Sequence, residues 1–134
     1  MKQVGIDTNV LLRLLVDDDP RQREAVMRFG STLNKSVRGV ITLVSLLETD
    51  WALRSQYRYS RAESAEAIRR IIRIRGVEIE CHDVAVRALR LVEDRGADFA
   101  DALIAARAAE LGCEATVTLD QKAAARVPGM ELLQ

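Results

Sequence analysis

Apolar residues recur along the chain with two different spacings, and the two spacings alternate. Short runs such as KQVGI, GVITLV, VEIEC, EATVTLD and MELL have the length and composition of buried strands. Longer segments between them carry apolar residues on one helical face. In DVAVRALRLVEDRG these residues are Ala85, Ala88, Leu89 and Val92. Strands that alternate with helices predict βαβ crossovers and a parallel sheet covered on both faces, hence an α/β fold.

Capping signals locate several helix ends. Asp19 followed by Pro20 predicts the start of the second helix, because aspartate caps a helix well and proline fits its first position. Ser60 and Glu63 have the spacing of a capping box, and Gly76 is expected to close the same helix. The 134 residues contain no repeat or flexible linker, so residues 1–134 are expected to form one domain.

Composition indicates a soluble globular protein, with 49% hydrophobic and 30% charged residues. No apolar run approaches the roughly 18 residues of a membrane span, and the N-terminus lacks a signal-peptide pattern. We therefore expect a cytoplasmic protein without membrane contact. Cys81 and Cys113 lack CxxC spacing, and His82 is the single histidine, so two partly buried thiols are expected rather than a disulfide framework or a zinc site.

Charge is balanced overall, with 20 basic and 20 acidic residues, but a block from Trp51 to Arg75 holds seven arginines and two acids. Such a block is either a solvated helix face or an edge that contacts phosphates. Arg70 could pair with Glu66, four residues before it. Arg69 and Arg73 share a face with no acid at the matching spacing between them, so these two are the candidate nucleic-acid-binding residues.

Acidic residues follow the predicted strands at the edge where parallel sheets bind ligands. Asp7 closes the first strand, and Asp120 closes the fourth. Glu48 lies early in the helix after the second strand, and Asp98 and Asp101 begin a later helix.

Each acid also has a structural interpretation. Asp98 and Asp120 could cap helices, Asp101 could be a first-turn acid favoured by the helix dipole, and Glu48 could pair with Arg13 or Arg54.

The acids taken together favour chemistry over capping. Two carboxylates about 4 Å apart repel by roughly 4 kcal/mol at an effective dielectric near 20. Several acids in one cleft therefore require a cation, and no lysine or histidine lies beside these strand ends. An all-oxygen donor set suits Mg²⁺ or Mn²⁺, which activate water and neutralise charge in phosphoryl chemistry.

Four segments carry a family likeness: GIDTNVLLRLL, SLLETDWALRSQY, GADFADALIAARAAELGC and TVTLDQKAAA. In this order they resemble PIN-domain ribonucleases, and in particular VapC-type toxins of toxin–antitoxin modules. The resemblance implies a three-layer α/β/α fold whose parallel sheet has the strand order 3-2-1-4-5. It also implies a Mg²⁺-dependent endoribonuclease that acts as a toxin on RNA, a cognate antitoxin protein and a homodimer.

Matched by motif, the first to fourth family acids are Asp7, Glu48, Asp101 and Asp120, and Thr118 matches the hydroxyl residue two positions before the last acid. The resemblance implies that Asp7 and Asp101 bind the metal most directly, and that Glu48 and Asp120 complete the catalytic site. Asp50 is a second acid close to Glu48 that the motif does not account for.

Two other functions fit an α/β domain of this length. A phospho-receiver domain has an acidic metal pocket, but it needs a lysine after a late strand, and only Lys122 is near. A non-catalytic interaction module would retain the fold without the chemistry, and the four intact acids argue against it.

Overall fold

A computed structural model describes residues 1–134. Five short strands alternate with seven helices. The strands are β1 (Lys2–Gly5), β2 (Val37–Ile41), β3 (Val77–Ile79), β4 (Thr116–Thr118) and β5 (Met130–Leu132). The helices are α1 (Thr8–Leu15), α2 (Pro20–Gly30), α3 (Leu43–Ser55), α4 (Arg61–Ile72), α5 (His82–Arg95), α6 (Phe99–Glu110) and α7 (Gln121–Arg126). The predicted α/β class and three-layer α/β/α architecture are confirmed.

All strand pairs are parallel, and they form two ladders. β2 lies between β1 and β3, and β4 pairs with β5. The ladders reproduce the 3-2-1 and 4-5 parts of the predicted order, but no ladder joins β1 to β4. β4 has only three residues, and its central Val117 is 61% exposed, so it offers little backbone for a second pairing. Asp7 and Asp120 each lie two residues after the end of their strand, β1 and β4.

The second strand is shorter than its apolar run predicted. β2 ends at Ile41, and the Thr42 side chain accepts a hydrogen bond from the Ser45 amide as the cap of α3. Capping therefore overrides the β-branched character of the segment TLV, since the hydroxyl satisfies an otherwise free amide of the helix. The consequence is that α3 begins at Leu43, two residues earlier than GVITLV suggested.

The predicted caps are confirmed at two other helices. Asp19 caps α2 by accepting from the Gln22 amide, with Pro20 in the first turn. Ser60 and Glu63 form both hydrogen bonds of the capping box of α4.

Gly76 does not close α4, because that helix ends four residues earlier, at Ile72. Instead Gly76 lies in the turn before β3 with φ +87°, a conformation that favours glycine. A Cβ at this position would lie 2.4 Å from the Asn34 backbone nitrogen, so the close approach of the two chain segments also requires glycine.

The main core contains 23 buried residues. It includes the predicted apolar face of α5, and Ala85, Ala88 and Leu89 have no exposed surface. α5 packs against the alanine-rich α6, the most extensive helix contact in the molecule. Small side chains allow that close approach, which fixes the start of α6, where Asp98 and Asp101 lie.

Both cysteines are free, as predicted, but they differ in exposure. Cys81 is half-buried before α5, whereas Cys113 is exposed in the turn after α6, so the expectation of partial burial is wrong for Cys113. None of the helices combines the length and the apolar character that crossing a membrane requires.

Candidate active site

An open cleft of about 710 Å³ lies between α3 and the start of α6. Most of its lining comes from α3, and the first residues of α6 supply the rest. The lining residues are Leu47, Glu48, Asp50, Trp51, Arg54, Ser55, Asp98 and Ala100. Three carboxylates and one guanidinium therefore border the cleft beside an apolar wall.

Thr8 links Asp7 to Glu48 by two hydrogen bonds. The Asp7 carboxylate caps α1 by accepting from the Thr8 amide at 2.8 Å. The Thr8 hydroxyl donates to Glu48 Oε1, also at 2.8 Å. Both acids are exposed, and neither forms a salt bridge, so the alternative interpretation in which Glu48 pairs with Arg13 or Arg54 is wrong. The fold thus brings the first two predicted site acids to one threonine.

Asp98 caps α6, as one interpretation of the sequence predicted, and it accepts from the Asp101 amide at 3.2 Å. Asp101 is half-buried and forms no salt bridge. Burial raises the pKa of Asp101, and the negative charges of Asp98 and Asp120 raise it further, against the lowering effect of Arg61. Asp101 therefore lies within electrostatic reach of the fourth predicted site acid.

Asp120 caps the short helix α7. Its Oδ1 accepts from the Lys122 amide at 2.9 Å and the Ala123 amide at 3.0 Å, and its own amide donates to Thr118 Oγ1 at 3.1 Å. The capping interpretation is thus confirmed. It does not exclude a ligand role, because Oδ2 of this exposed carboxylate has no hydrogen-bond partner within the protein.

Arg54 bridges two acids of this cleft, a role that the sequence analysis did not assign to it. Its Nη1 lies 2.6 Å from Asp98 Oδ1 and 3.5 Å from Asp50 Oδ2. The hydrogen bond to Asp98 raises the pKa of Arg54 most. Burial would raise the pKa of Asp98, but the hydrogen bonds from Arg54 and the Asp101 amide outweigh it, and the net pKa is lowered. Only the spacing of Asp50 and Arg54, four residues apart on one helix, hinted at this bridge.

Asp50 and Glu48 differ in surroundings, which separates their roles. Asp50 is 4% exposed, and it accepts a hydrogen bond from the Ser64 hydroxyl at 2.7 Å. Burial raises the pKa of Asp50, and the Ser64 hydrogen bond and the Arg54 charge oppose that increase. Asp50 therefore holds α3 to α4, whereas the exposed Glu48 remains available to a ligand.

The acids have the donor chemistry of a hard-cation site. No three Asp, Glu, His or Cys side chains form a group that could hold an ion by themselves. Mg²⁺ does not need such a cage, because it is usually bound through one or two carboxylates together with waters and substrate phosphates. Burial is the main cause of the raised pKa of Asp101, and the negative charges of Asp98 and Asp120 add to it, so a cation beside Asp101 would offset that charge. The donor set therefore fits Mg²⁺ or Mn²⁺.

The two predicted RNA-binding arginines differ in the structure. Arg69 donates from Nε and Nη2 to the two carboxylate oxygens of Glu93, at 2.6 and 2.7 Å. Arg69 is therefore not free, because an acid of α5 supplies the partner that spacing along α4 did not reveal. Arg73 is exposed and forms no salt bridge, and neither does Arg70 with Glu66.

A family model for the PIN domain matches residues 4–129. The chain belongs to the PIN-domain family. PIN domains are generally nucleases, which are hydrolases of phosphodiester bonds. Membership of this family rules out the phospho-receiver alternative. It also gives the acids around the cleft a chemical context that the capping contacts alone do not supply.

Two solved structures resemble the chain over nearly its whole length. A toxin–antitoxin complex from Klebsiella pneumoniae has 20% identity and a TM-score of 0.36, with 96% of this chain and 95% of that chain covered. VapBC2 from Rickettsia felis, bound to a DNA fragment from its promoter, has 16% identity and a TM-score of 0.40, with 99% and 98% covered. No curated protein matches the chain. Both structural likenesses are weak.

Proposed function

We propose that this PIN domain is a Mg²⁺-dependent endoribonuclease and the toxin of a type II toxin–antitoxin system. The observation that carries the nuclease proposal is the placement of four acids without salt-bridge partners. Thr8 connects Asp7 to Glu48, and Asp101 lies within electrostatic reach of Asp120. An acid site open to solvent beside a cleft suits a cation and a phosphodiester.

In this proposal Asp7 and Asp101 hold the cation most directly, and Glu48 and Asp120 complete the site. When bound, Mg²⁺ or Mn²⁺ lowers the pKa of water and neutralises charge that develops on the phosphate oxygens. The protein's own contribution is orientation. Thr8 fixes one oxygen of Glu48 and leaves the other without a hydrogen bond, and the Asp98 cap fixes the first turn of α6, which carries Asp101.

The RNA backbone needs basic partners, because the acids alone repel it. Arg73 is the candidate for this contact, since it is exposed and unpaired. A contact of this kind contributes affinity without sequence choice.

The remaining parts of the proposal rest on the four motif segments that resemble VapC-type toxins. These parts are the cognate antitoxin protein, the homodimer and the cytoplasmic location.

Induced expression in a bacterial host lacking the antitoxin tests the toxin assignment. The wild type should arrest growth, and Asp101→Asn should not. Growth unaffected by the wild type would contradict the toxin role.

Cleavage of RNA by the purified protein tests the nuclease assignment. We expect cleavage with Mg²⁺ or Mn²⁺ and none in EDTA. Asp7→Asn and Asp101→Asn should abolish it, because each removes a charged ligand. The matched control is Asp83→Asn, which removes an exposed acid at the start of α5, away from the cleft. Cleavage that persists in Asp101→Asn, or that is absent from the wild type with either metal, would contradict the assignment.

A further inference from the structure

Trp51 is the single tryptophan of the chain, and 64% of it is exposed. The large side chains on the inner face of α3, Leu46 and Leu53, are fully buried and supply its core packing. Trp51 points away from that core and lines the cleft together with Leu47 and Ala100. Its indole therefore presents a flat apolar face to a site bordered by acids.

Trp51 lies one helical turn from Glu48, one of the acids of the predicted metal site. It is three residues after Glu48 and three before Arg54, so all three side chains are neighbours along one side of α3. A nucleotide has a matching arrangement, because its anionic phosphate and its flat aromatic base are also separated by a short distance. A phosphate held at the acids would leave its neighbouring base within reach of the indole.

The character of the cleft favours a nucleobase over an apolar protein segment. Glu48 and Arg54 lie on either side of the indole, and an apolar segment docked there would cover charged groups without satisfying them. A base can stack its face on the indole and keep its polar edge in water. The cleft volume of about 710 Å³ also falls within the roughly 300–1,000 Å³ of small-ligand clefts.

We infer that Trp51 is a stacking platform for an unpaired base of the RNA substrate, beside the scissile phosphate. This inference rests on the proposed ribonuclease function and extends it, because it assigns the substrate as single-stranded at the cleft. Stacking on an aromatic side chain tolerates every base, so the platform positions RNA without reading its sequence.

Intrinsic fluorescence tests the inference, since the one tryptophan is the proposed platform. The Asp101→Asn protein is titrated in Mg²⁺ with a ten-nucleotide oligoadenylate, which this variant should not cut. We expect saturable quenching by the oligoadenylate and little quenching by an abasic ribose-phosphate polymer of the same length. Equal quenching by both polymers, or none, would overturn the inference.

Affinity measured with a labelled oligoadenylate provides the second readout. In the Asp101→Asn background, Trp51→Ala should weaken binding roughly tenfold, and Trp51→Phe should weaken it less. The control is Val44→Ala, because Val44 is 65% exposed on the same helix but does not line the cleft. Val44→Ala should bind like its parent. Unchanged affinity in Trp51→Ala would overturn the platform.

Two further outcomes separate this inference from its competitors. Fluorescence that changes with protein concentration rather than with oligoadenylate would show that a second copy of the chain covers Trp51, and it would overturn the inference. If Trp51→Ala cleaves RNA at the wild-type rate and with the wild-type KM, the stacking role of Trp51 is wrong and the nuclease assignment is unaffected. The nuclease assignment fails separately, if the wild type cleaves no RNA at all.

Discussion

Two pairs of acids differ in what neutralises them: Asp50 and Asp98 line the cleft, and Glu48 lines it too, with Asp7 joined to Glu48 through Thr8. Asp50 and Asp98 share Arg54, and Asp50 is almost completely buried. Asp7 and Glu48 are exposed and share only the neutral Thr8. The first group contains its own cation, whereas the second contains none.

The presence or absence of a cationic partner separates acids that stabilise the fold from acids that are available to bind a ligand. A buried carboxylate without a partner is costly, so Asp50 needs Ser64 and Arg54 for the fold to form. An exposed carboxylate that also caps a helix is stable without a cation, and it can still accept one. The charge partner of an acid therefore indicates its role better than its position after a strand does.

The largest effect on stability is expected when Arg54 is removed. Arg54→Met leaves Asp50 buried without a countercharge, and it should lower the free energy of unfolding by roughly 3 kcal/mol, the low end for breaking a buried pair, because Arg54 itself is 30% exposed. Chemical denaturation measures it. The loss should shrink as the pH falls through the raised pKa of Asp50, since protonation removes the buried charge.

Arg28→Met is the matched control for Arg54→Met. Arg28 pairs with Glu24 four residues earlier in α2, and both side chains are largely exposed. This substitution should cost about 0.5 kcal/mol or less. Equal losses in the two variants would show that the Arg54 bridge is no more than a surface contact.

A smaller effect is expected for the available acids. In EDTA, the free energies of unfolding of Asp7→Asn and Asp101→Asn should lie within about 0.5 kcal/mol of the wild-type value or exceed it. Asparagine caps a helix as well as aspartate does, and the change at Asp101 removes repulsion from Asp98 and Asp120. If the free energy of unfolding of either variant fell as much as that of Arg54→Met, these acids would be structural and the distinction between the two groups would be wrong.

The smallest effect concerns the arginines of α4. Arg73→Ala should flatten the salt dependence of RNA affinity by about 0.7 in the slope of log affinity against log salt, the value for one phosphate contact with a single strand. Arg69→Ala should leave the slope unchanged, because Arg69 is bound to Glu93. Equal flattening by both would show that Arg69 exchanges its partner for phosphate.

Local sequence signals predicted the fold well. Alternation gave the five strands, and the capping residues Asp19, Ser60 and Glu63 act as their side chains dictate. The strand end at Ile41 was missed because Thr42 suits both a strand and a cap. The absence of a ladder between β1 and β4 could not be predicted from the local sequence either, because it depends on how two segments that are distant in the chain pack together.

The site was predictable in its acids but not in their partners. Arg54 meets Asp98 across 44 positions of the chain, and Arg69 meets Glu93 across 24. Neither separation is a helical or strand period, so no pattern in the sequence could reveal these pairs. Tertiary packing decides which acids are neutralised, and with it which are available.

Isothermal titration calorimetry with Mn²⁺ tests the central claim most directly, because it compares the two groups of acids in the intact chain. The wild type should bind Mn²⁺, and Asp7→Asn and Asp101→Asn should weaken binding at least about tenfold, or by about 1.4 kcal/mol. Asp50→Asn, measured below its own melting temperature, should bind like the wild type. Binding that is lost in Asp50→Asn and retained in Asp7→Asn and Asp101→Asn would contradict the account.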